Sequence, residues 1–227
     1  RCATKLADFI MVNAVSPPTS EAELLTRAQA LAGVTMAELA EQMAVSSQVN
    51  LRREKGWIGQ LLEHALGASS GSLAQPDFPE LGIELKTIPI DQHGDPLEST
   101  WVCVAPMLPR EITPWPQSLV QRKLNKVLWL PILAERHLSL SERVIAQAFL
   151  WQASAQQSAL LQQDYEELTE RIALGEIDAI TAHHGTVLQL RPKAANKHIT
   201  TRGIDREGRS IQTAPRGFYL RRRFTRS

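Results

Sequence analysis

The stretch Asp77-Phe78-Pro79-Glu80-Leu81-Gly82-Ile83-Glu84-Leu85-Lys86 places one acid ahead of a Glu-x-Lys set that opens an apolar run. Residues 83–90 alternate in polarity and are rich in β-branched residues, which predicts a strand that Gly82 bounds on one side and Pro89 towards the other. In a strand, Glu84 and Lys86 leave the same face, roughly 6.6 Å apart along the chain. We expect the rest of the chain to be arranged around this stretch.

These residue types suit metal-assisted hydrolysis of a phosphate ester. Glu84 can ligate a divalent ion while Lys86 points at a water or phosphate beside it, and the turn-like segment 75–79 can bring Asp77 to the same ion. Mg²⁺ favours such hard oxygen ligands and usually takes only one or two protein carboxylates. Lys86 would orient or deprotonate the attacking water. The stretch therefore predicts the metal-binding and catalytic centre of a nuclease; the alternative for an isolated Glu-x-Lys pair is a solvated strand face.

Chain length and cysteine content limit the classes of protein to which this chain can belong. With 227 residues, the chain can bury a full core and is most simply one domain or two intimate lobes. The longest apolar run, Val127 to Ala134, is too short for a transmembrane helix and contains Pro131. Cys2 and Cys103 form neither a CxxC motif nor a disulfide framework, which indicates a reduced, cytoplasmic chain.

The net charge of +1 hides an asymmetry. Residues 191–227 carry 11 Lys and Arg against 2 acids, a charge of +9, whereas the remaining 14 basic and 22 acidic residues give −8. The basic end contains apolar and aromatic residues throughout. This composition favours a folded nucleic-acid-binding face over a disordered basic tail.

The N-terminal region predicts a leader and a helical unit. Residues 1–18 lack the pattern of a signal peptide, and we interpret them as an unstructured leader. Thr19 or Ser20 caps a helix that Gly33 ends, and Thr35 caps a second helix that extends to Met43.

A third helix faces the core and carries Glu63. Gly67 marks its C-cap, and Glu63 lies beside the apolar stripe, one turn after Gly59. Spacing alone favours an ordinary exposed glutamate. The stripe consists of Ile58, Leu61, Leu62, Ala65 and Leu66.

Beyond the central stretch the pattern predicts further strands. The turn at 91–96 and the alternating run 99–105 predict a hairpin with the central strand. Residues 127–130 predict a buried strand. Lys123 lies just ahead of that strand, and it either contacts a phosphate or is an ordinary surface lysine. Two later strands, 187–190 and 217–223, bear basic side chains suited to phosphate and base contacts.

A long helix over residues 154–174 is predicted to be scaffold, with Gly175 at its end. Its polar flanks surround one apolar stripe, which consists of Leu160, Leu161, Tyr165, Leu168 and Ile172.

Four motifs in order carry a family resemblance that extends from about Ser20 to Phe224. The chain resembles the MutH family of bacterial methyl-directed mismatch-repair endonucleases, which are related in fold to type II restriction enzymes of the PD-(D/E)xK class. The motifs are Arg53-Glu54-Lys55-Gly56-Trp57-Ile58-Gly59, Gly82-Ile83-Glu84-Leu85-Lys86-Thr87-Ile88-Pro89, Leu190-Arg191-Pro192-Lys193-Ala194-Ala195-Asn196 and Pro215-Arg216-Gly217-Phe218-Tyr219-Leu220.

The resemblance implies a restriction-endonuclease-like α/β fold, a mixed sheet flanked by helices, with two lobes around a DNA-binding cleft. The implied domain is 19–227, with a catalytic lobe over about 19–135 and a helix plus a basic DNA-recognition lobe over 136–227. In the family the chain continues as a helix beyond residue 225, a helix linked to the response to MutL, and we expect a chain that ends at Ser227 to respond less.

The resemblance also implies roles for individual residues. Asp77 and Glu84 hold Mg²⁺, Lys86 is the catalytic lysine, and Glu63 is an additional active-site carboxylate, in contrast to the expectation from spacing. Lys123 matches a lysine near the scissile phosphate. In the family, the GATC site and its adenine are contacted by residues that correspond to Arg191, Lys193 and Tyr219.

The implied activity is nicking of the unmethylated strand at hemimethylated GATC sites in double-stranded DNA. The family acts as a monomer and is stimulated by MutL after MutS finds a mismatch. Two alternatives stay open: a GATC-specific restriction endonuclease that cuts both strands, and a non-catalytic GATC-binding module. A single Asp…Glu-x-Lys set favours a nicking enzyme.

Overall fold

A computed structural model describes residues 15–43, 56–71, 73–181, 183–193 and 198–226. The chain forms two compact units, one from residues 1–95 and 128–150 and the other from residues 96–127 and 151–227. Each unit thus combines two segments, whereas the lobes expected from the sequence are contiguous. The assignment of a catalytic lobe and a DNA-recognition lobe stays a prediction.

Three predicted helices form in the first unit, and the first of them ends at Ala30, three residues before the predicted stop at Gly33. The Ser20 hydroxyl accepts a hydrogen bond from the N–H of Glu23 over 3.2 Å, and Thr35 and Glu38 form a capping box. These caps satisfy N–H groups that a first helical turn leaves without partners. Gly67, at φ +77°, ends the third helix. In the described residues the helices are α1 (Glu21–Ala30), α2 (Met36–Gln42), α3 (Trp57–Leu66), α4 (Leu119–Leu124), α5 (Ala155–Ala173) and α6 (Arg222–Thr225), and the strands are β1 (Glu84–Ile90), β2 (Thr100–Val104), β3 (Lys126–Leu133), β4 (Val144–Ile145), β5 (Phe149–Gln152), β6 (Leu188–Pro192), β7 (Thr201–Ile204), β8 (Ser210–Thr213) and β9 (Arg216–Leu220).

The last residues of the expected leader pack against this helical unit. Residues 15–18 have no regular secondary structure, but Pro18 is buried and the Ser16 carbonyl accepts a hydrogen bond from Arg27 Nη1 over 2.7 Å. A Cβ atom on Gly67 would collide with the Ser16 carbonyl. Residues 1–14 of the expected leader lie outside the described residues.

The sheet of the first unit has the strand order β1-β3-β4, and β5 also pairs with β3. Pro89 lies inside β1 and does not bound it, contrary to the prediction. The position of β1 at the end of the strand order explains this, because an edge strand tolerates a residue that cannot donate to a neighbour. The core between this sheet and helices α1 to α3 includes the fully buried side chains of Leu62, Ile83, Leu130 and Ile145.

The predicted hairpin between β1 and β2 is wrong. The turn itself forms, since the Gly94 N–H donates to the Asp91 carbonyl over 3.0 Å. However, β2 pairs antiparallel with β9 in the second unit, with Thr100 opposite Leu220, in a sheet of order β2-β9-β6. Alternation along a strand predicts which residues are buried but does not specify the strand's partner.

Helix α5 packs against this second sheet, as the scaffold role predicts. Its Tyr165 ring lies 5.6 Å from the Phe218 ring on β9, and the Tyr165 hydroxyl donates to the Thr113 carbonyl over 2.8 Å. Burial differs from the predicted stripe at three places. Leu160 is only half-buried, whereas the polar side chains of Asp164 and Thr169 are buried.

Strand β9 is shorter than predicted. It ends at Leu220, and the chain then turns into α6, so Arg222 and Arg223 are helical and not part of a strand. The last bond of the pairing with the neighbouring strand β6 is donated by the Arg221 N–H to the Val187 carbonyl over 2.8 Å, just beyond the Leu188–Leu220 pair. Across the described residues, no helix is both long enough and apolar enough to cross a membrane.

Candidate functional site

A tight turn in the first unit brings Asp77 and Glu84 together. Phe78 and Ile83 form an antiparallel bridge, with N–H to carbonyl distances of 2.9 and 3.2 Å in the two directions. Gly82, at φ +64°, lets the chain reverse within the turn. Because Phe78 lies opposite Ile83, their outer neighbours Asp77 and Glu84 lie opposite each other on the same side of the paired segments.

The carboxylate of Asp77 is fixed by hydrogen bonds and does not depend on a loose loop. Asp77 Oδ2 accepts from the backbone N–H of Leu85 over 2.9 Å, and Oδ1 lies 3.4 Å from the Ser70 hydroxyl. The Asp77 carbonyl also accepts from the N–H of Ser69 over 3.1 Å. With an exposed fraction of 8%, the side chain is buried beside the peptide unit that joins Glu84 to Leu85.

Glu84 and Lys86 share one face of β1, as the strand prediction requires. Lys86 Nζ lies 2.6 Å from Glu84 Oε1, and the two residues are only 9% and 1% exposed. The alternative of a solvated strand face is therefore wrong. Removing two ionised groups from water carries a substantial desolvation cost, so a buried Glu-Lys pair is weak evidence for a purely stabilising role.

Glu63 lies on α3 in the same unit and is half-buried, which differs from the exposed glutamate that spacing alone favours. The Glu63 carbonyl accepts from the N–H of Ala68 over 2.8 Å, and the next residue, Ser69, donates to Asp77. A Cβ atom on Gly59 would lie 3.9 Å from Glu63 Oε1, in ordinary contact. The exit of α3 thus links the backbones of Glu63 and Asp77.

The chemistry of this cluster fits a hard divalent cation. Asp77 and Glu84 supply carboxylate oxygens, and such an ion commonly takes one or two protein carboxylates together with waters and substrate phosphates. Among the described residues, no group of three or more His, Cys, Asp or Glu side chains gathers at one point.

Lys123 lies on α4 in the second unit and is half-buried. The first unit holds Asp77, Glu84, Lys86 and Glu63. The expected proximity of Lys123 to a scissile phosphate stays a prediction.

Arg191, Lys193 and Tyr219 meet on one face of the second sheet. Tyr219 on β9 lies opposite Gln189 on β6, and Arg191 follows Gln189 by two residues. The side chains of Tyr219 and Arg191 therefore lie on the same face of the β6–β9 pair. Arg191 Cζ lies 5.4 Å from the centre of the Tyr219 ring. Lys193 Nζ lies 3.4 Å from the centre of the Trp101 ring. We call the surface formed by Trp101, Arg191, Lys193 and Tyr219 the basic aromatic face.

Trp101 is the member of the basic aromatic face that sequence reasoning missed. Its ring meets that of Tyr219 edge-on, with centroids 5.1 Å apart and planes at 71°. A Cβ atom on Gly217 would fall less than 3.0 Å from the Trp101 ring, so the glycine leaves the space that the indole occupies. The only signal in the sequence was an aromatic residue in an alternating run, and the wrong pairing of β2 hid its neighbours.

The environment of Tyr219 keeps its hydroxyl protonated. Burial raises the pKa of the Tyr219 phenol above its usual value, while the nearby Arg191 guanidinium opposes that rise. The hydroxyl therefore remains a hydrogen-bond donor at neutral pH.

Comparison with known proteins supplies the family. The chain is 53% identical to the DNA mismatch repair protein MutH of Vibrio cholerae over 208 residues, which covers 92% of this chain and 94% of that protein. It is 50% identical to MutH of Shewanella oneidensis and 51% identical to MutH of Histophilus somni, each over 214 residues, 94% of this chain and 96% of the relative. The chain belongs to the MutH family. A profile described as "DNA mismatch repair enzyme MutH" also matches residues 66–164, which include the turn, β1 and most of α5.

Membership in the MutH family confirms the resemblance drawn from the four motifs and the restriction-endonuclease-like mixed α/β fold class. It also confirms the coarse functional prediction, an enzyme of DNA mismatch repair with a nuclease fold that acts on DNA.

Proposed function

We propose that this MutH-family chain is a Mg²⁺-dependent endonuclease that nicks the unmethylated strand at hemimethylated GATC sites. The observation that carries the proposal is the buried cluster at the start of β1. Asp77 is tied to the Leu85 N–H at 2.9 Å, and Lys86 is paired with Glu84 at 2.6 Å. Two carboxylates and a lysine side chain thus lie at the start of one strand, and these residue types suit metal-assisted hydrolysis of a phosphodiester.

In this proposal Asp77 and Glu84 hold Mg²⁺, which when bound stabilises negative charge on the phosphate. The hydrogen bond from the Leu85 N–H fixes the orientation of the Asp77 carboxylate, so little reorganisation is needed when the ion binds. Lys86 orients or deprotonates the attacking water from the same strand face. Glu63 is the additional carboxylate, and Lys123 acts on the scissile phosphate.

Sequence recognition is assigned to the basic aromatic face. Arg191 and Lys193 supply donors for base edges and phosphates, and the aromatic pair Trp101 and Tyr219 supplies a rigid surface between them. In the major groove, adenine presents an N7 acceptor and an N6 amino donor, so N6-methylation changes an edge that a protein can sense. Tyr219 is proposed to sense that edge.

The names of the relatives place those proteins in DNA mismatch repair, which supports a role for this chain in the same process. We propose that the chain acts as a monomer in the cytoplasm, on double-stranded DNA with GATC sites. We further propose that MutL activates it once MutS has found a mismatch.

A cleavage assay tests the proposal directly. Unmethylated, hemimethylated and fully methylated GATC duplexes, and a duplex with one base pair of the site changed, are incubated with the full chain, with Mg²⁺ or EDTA, and with or without MutL. We expect nicks in unmethylated strands only, dependence on Mg²⁺ and on the intact site, and faster nicking with MutL.

Other outcomes favour the alternatives. Concerted cleavage of both strands of the unmethylated duplex, without a singly nicked intermediate, would indicate a restriction endonuclease. Specific binding to GATC without cleavage under any condition would indicate a binding module. Cleavage that ignores the changed base pair would contradict the assignment of GATC specificity.

A further inference from the structure

Asp164 is a buried acid in the second unit that neither the catalytic cluster nor the basic aromatic face uses. Its side chain lies on α5 and is 2% exposed. Among the residues that the structure describes, no Lys or Arg is salt-bridged to it. A buried carboxylate without hydrogen bonds would be very unfavourable, so its partners reveal what it does.

The partners are three consecutive backbone N–H groups at the start of β6. Asp164 Oδ1 accepts from Thr186 over 2.7 Å, and Oδ2 accepts from Val187 over 2.6 Å and from Leu188 over 2.7 Å. Hydrogen bonds to an ionised acceptor are shorter and stronger than neutral ones. The carboxylate thus fixes the entry of the strand that carries Arg191.

The turn before β6 is built to reach this carboxylate. Gly185 has φ +78°, and a Cβ atom there would fall less than 3.0 Å from the Leu188 carbonyl and 3.4 Å from Asp164 Cγ. Only glycine fits both the positive φ and the close approach. The turn can therefore direct its successive N–H groups at one acid.

Two arginines hold the carbonyl side of the same segment. Arg221 Nη2 donates to the His184 carbonyl over 2.9 Å, and Arg223 Nε donates to the Thr186 carbonyl over 2.8 Å. The basic run in the sequence predicted phosphate or base contacts for these arginines. The structure instead uses the guanidinium groups to brace the start of β6 next to the end of β9.

This bracing sets the register on which the basic aromatic face depends. Leu188 lies opposite Leu220 and Gln189 opposite Tyr219, and Arg191 lies three residues beyond Leu188. A shift of one residue would move Arg191 to the other face of the sheet, because side chains alternate along a strand.

We propose that Asp164 is a positioning residue for GATC recognition, which acts by locking residues 186–188 so that Arg191 and Lys193 face the DNA. This inference rests on the proposed function, since it needs the basic aromatic face to bind the site. It concerns specificity and not the metal-assisted chemistry proposed for Asp77, Glu84 and Lys86.

The test compares Asp164→Asn with Glu170→Gln, an exposed change on the same helix. Asn keeps the shape but replaces one accepting oxygen with an amino group that faces the N–H donors. Affinity is measured without metal for a GATC duplex and for a duplex with one changed base pair, and KM and kcat are measured on the GATC duplex. Thermal unfolding reports the folded fraction.

We expect Asp164→Asn to weaken GATC binding and raise KM about ten-fold or more, the size of a lost hydrogen bond to a charged group. Binding to the changed duplex and kcat should move less than about three-fold, because non-specific binding rests on charge. Glu170→Gln should match the wild type. Unchanged discrimination in Asp164→Asn, or a fall in kcat at constant KM that follows the folded fraction, would overturn the inference.

Arg223→Gln provides a second test that does not disturb the buried acid, and it decides the matter if Asp164→Asn does not fold. Loss of the Thr186 contact should lower discrimination between the two duplexes with an unchanged salt dependence of binding. If Arg223 instead contacts a phosphate, the slope of log affinity against log salt falls by about 1 and discrimination is retained, which contradicts the bracing role. A wild type that does not prefer GATC would overturn the proposed function itself and not this inference alone.

Discussion

The backbone N–H of Leu85 lies 2.9 Å from Asp77 Oδ2, and this contact joins the acid of the turn to the strand that carries Glu84 and Lys86. It occupies one carboxylate oxygen and holds the other near the Ser70 hydroxyl. In the proposed metal site, a carboxylate held in this way needs little ordering when an ion and a phosphate bind, which favours catalysis by a preorganised site.

Removing any of the three reactive groups should stop nicking. We expect Asp77→Asn, Glu84→Gln and Lys86→Met each to lower Mg²⁺-dependent nicking of GATC duplexes by about a hundred-fold or more, the range for loss of an acid–base or charge-stabilising group. Metal-free binding to the same duplex should survive, since the basic aromatic face is unchanged. Single-turnover nicking and binding titrations separate the two effects.

The matched control is Glu80→Gln, an exposed acid in the same turn. It should nick like the wild type. Near-normal nicking by Asp77→Asn, Glu84→Gln or Lys86→Met would remove that residue from the catalytic set.

Local features of the structure could be predicted from the sequence because they depend on neighbouring residues. The caps at Ser20 and Thr35 and the shared face of Glu84 and Lys86 follow from short-range geometry. Pairing between distant segments could not be predicted, because nothing in residues 100–104 indicates that β9 is their partner. The predicted hairpin failed for that reason, and Trp101 was missed with it.

The buried polar contacts could not be predicted from the sequence either. In the pattern of α5, Asp164 next to Tyr165 resembles a solvent-facing acid, and only the fold shows the backbone N–H groups of residues 186–188 around it. Likewise, the pattern gave Glu63 as exposed, and only the path of the chain after α3 places its backbone beside that of Asp77.

Gly217 should be coupled energetically to Trp101. We expect Gly217→Ala to lower the free energy of unfolding by about 1–3 kcal/mol, the usual cost of overpacking, because the added methyl group meets the indole. In a Trp101→Ala background the same change should cost less. Urea unfolding of the wild type, the two single variants and the double variant gives the coupling energy. If the losses in the free energy of unfolding of the two single variants simply add in the double variant, the Trp101 contact does not determine the need for glycine.

Both tyrosines of the chain should titrate abnormally in the folded protein. Burial raises the pKa of Tyr165 and of Tyr219, so tyrosinate absorbance in the folded protein should develop at a higher pH than the usual value of about 10. When the pKa of a group is higher in the folded state than in the unfolded state, its contribution to the free energy of unfolding is fully present below the unfolded pKa. That contribution is lost as the pH rises through the folded pKa.

The contribution of Tyr165 can be isolated with Tyr165→Phe. This change removes the hydrogen bond to the Thr113 carbonyl and should cost about 0.5–1.5 kcal/mol at neutral pH. It should also reduce the loss of stability above pH ~10, because one of the two shifted groups is gone. An unchanged alkaline slope in urea unfolding experiments would contradict the shift assigned to Tyr165.

The orientation of Tyr219 determines whether it can sense adenine methylation. Side chains alternate along β9, so Phe218 and Leu220 face inward and are 1% and 0% exposed, whereas Tyr219 is half-buried on the basic aromatic face. The Trp101 ring and Arg191 hold the phenol there at 5.1 and 5.4 Å.

Tyr219→Ser should therefore narrow the ratio of nicking rates between unmethylated and methylated strands. A methyl group that meets a fitted ring should cost about 1–3 kcal/mol, a factor of roughly 5 to 150, and serine leaves the space open. Lys193→Ala should instead lower nicking of both strands alike, because it removes a positive charge near the DNA. Tyr219→Phe separates the ring from the hydroxyl: retained discrimination assigns the effect to the ring, and lost discrimination assigns it to the hydroxyl, which remains protonated at neutral pH. Full discrimination in Tyr219→Ser would place the methylation sensor elsewhere in the protein.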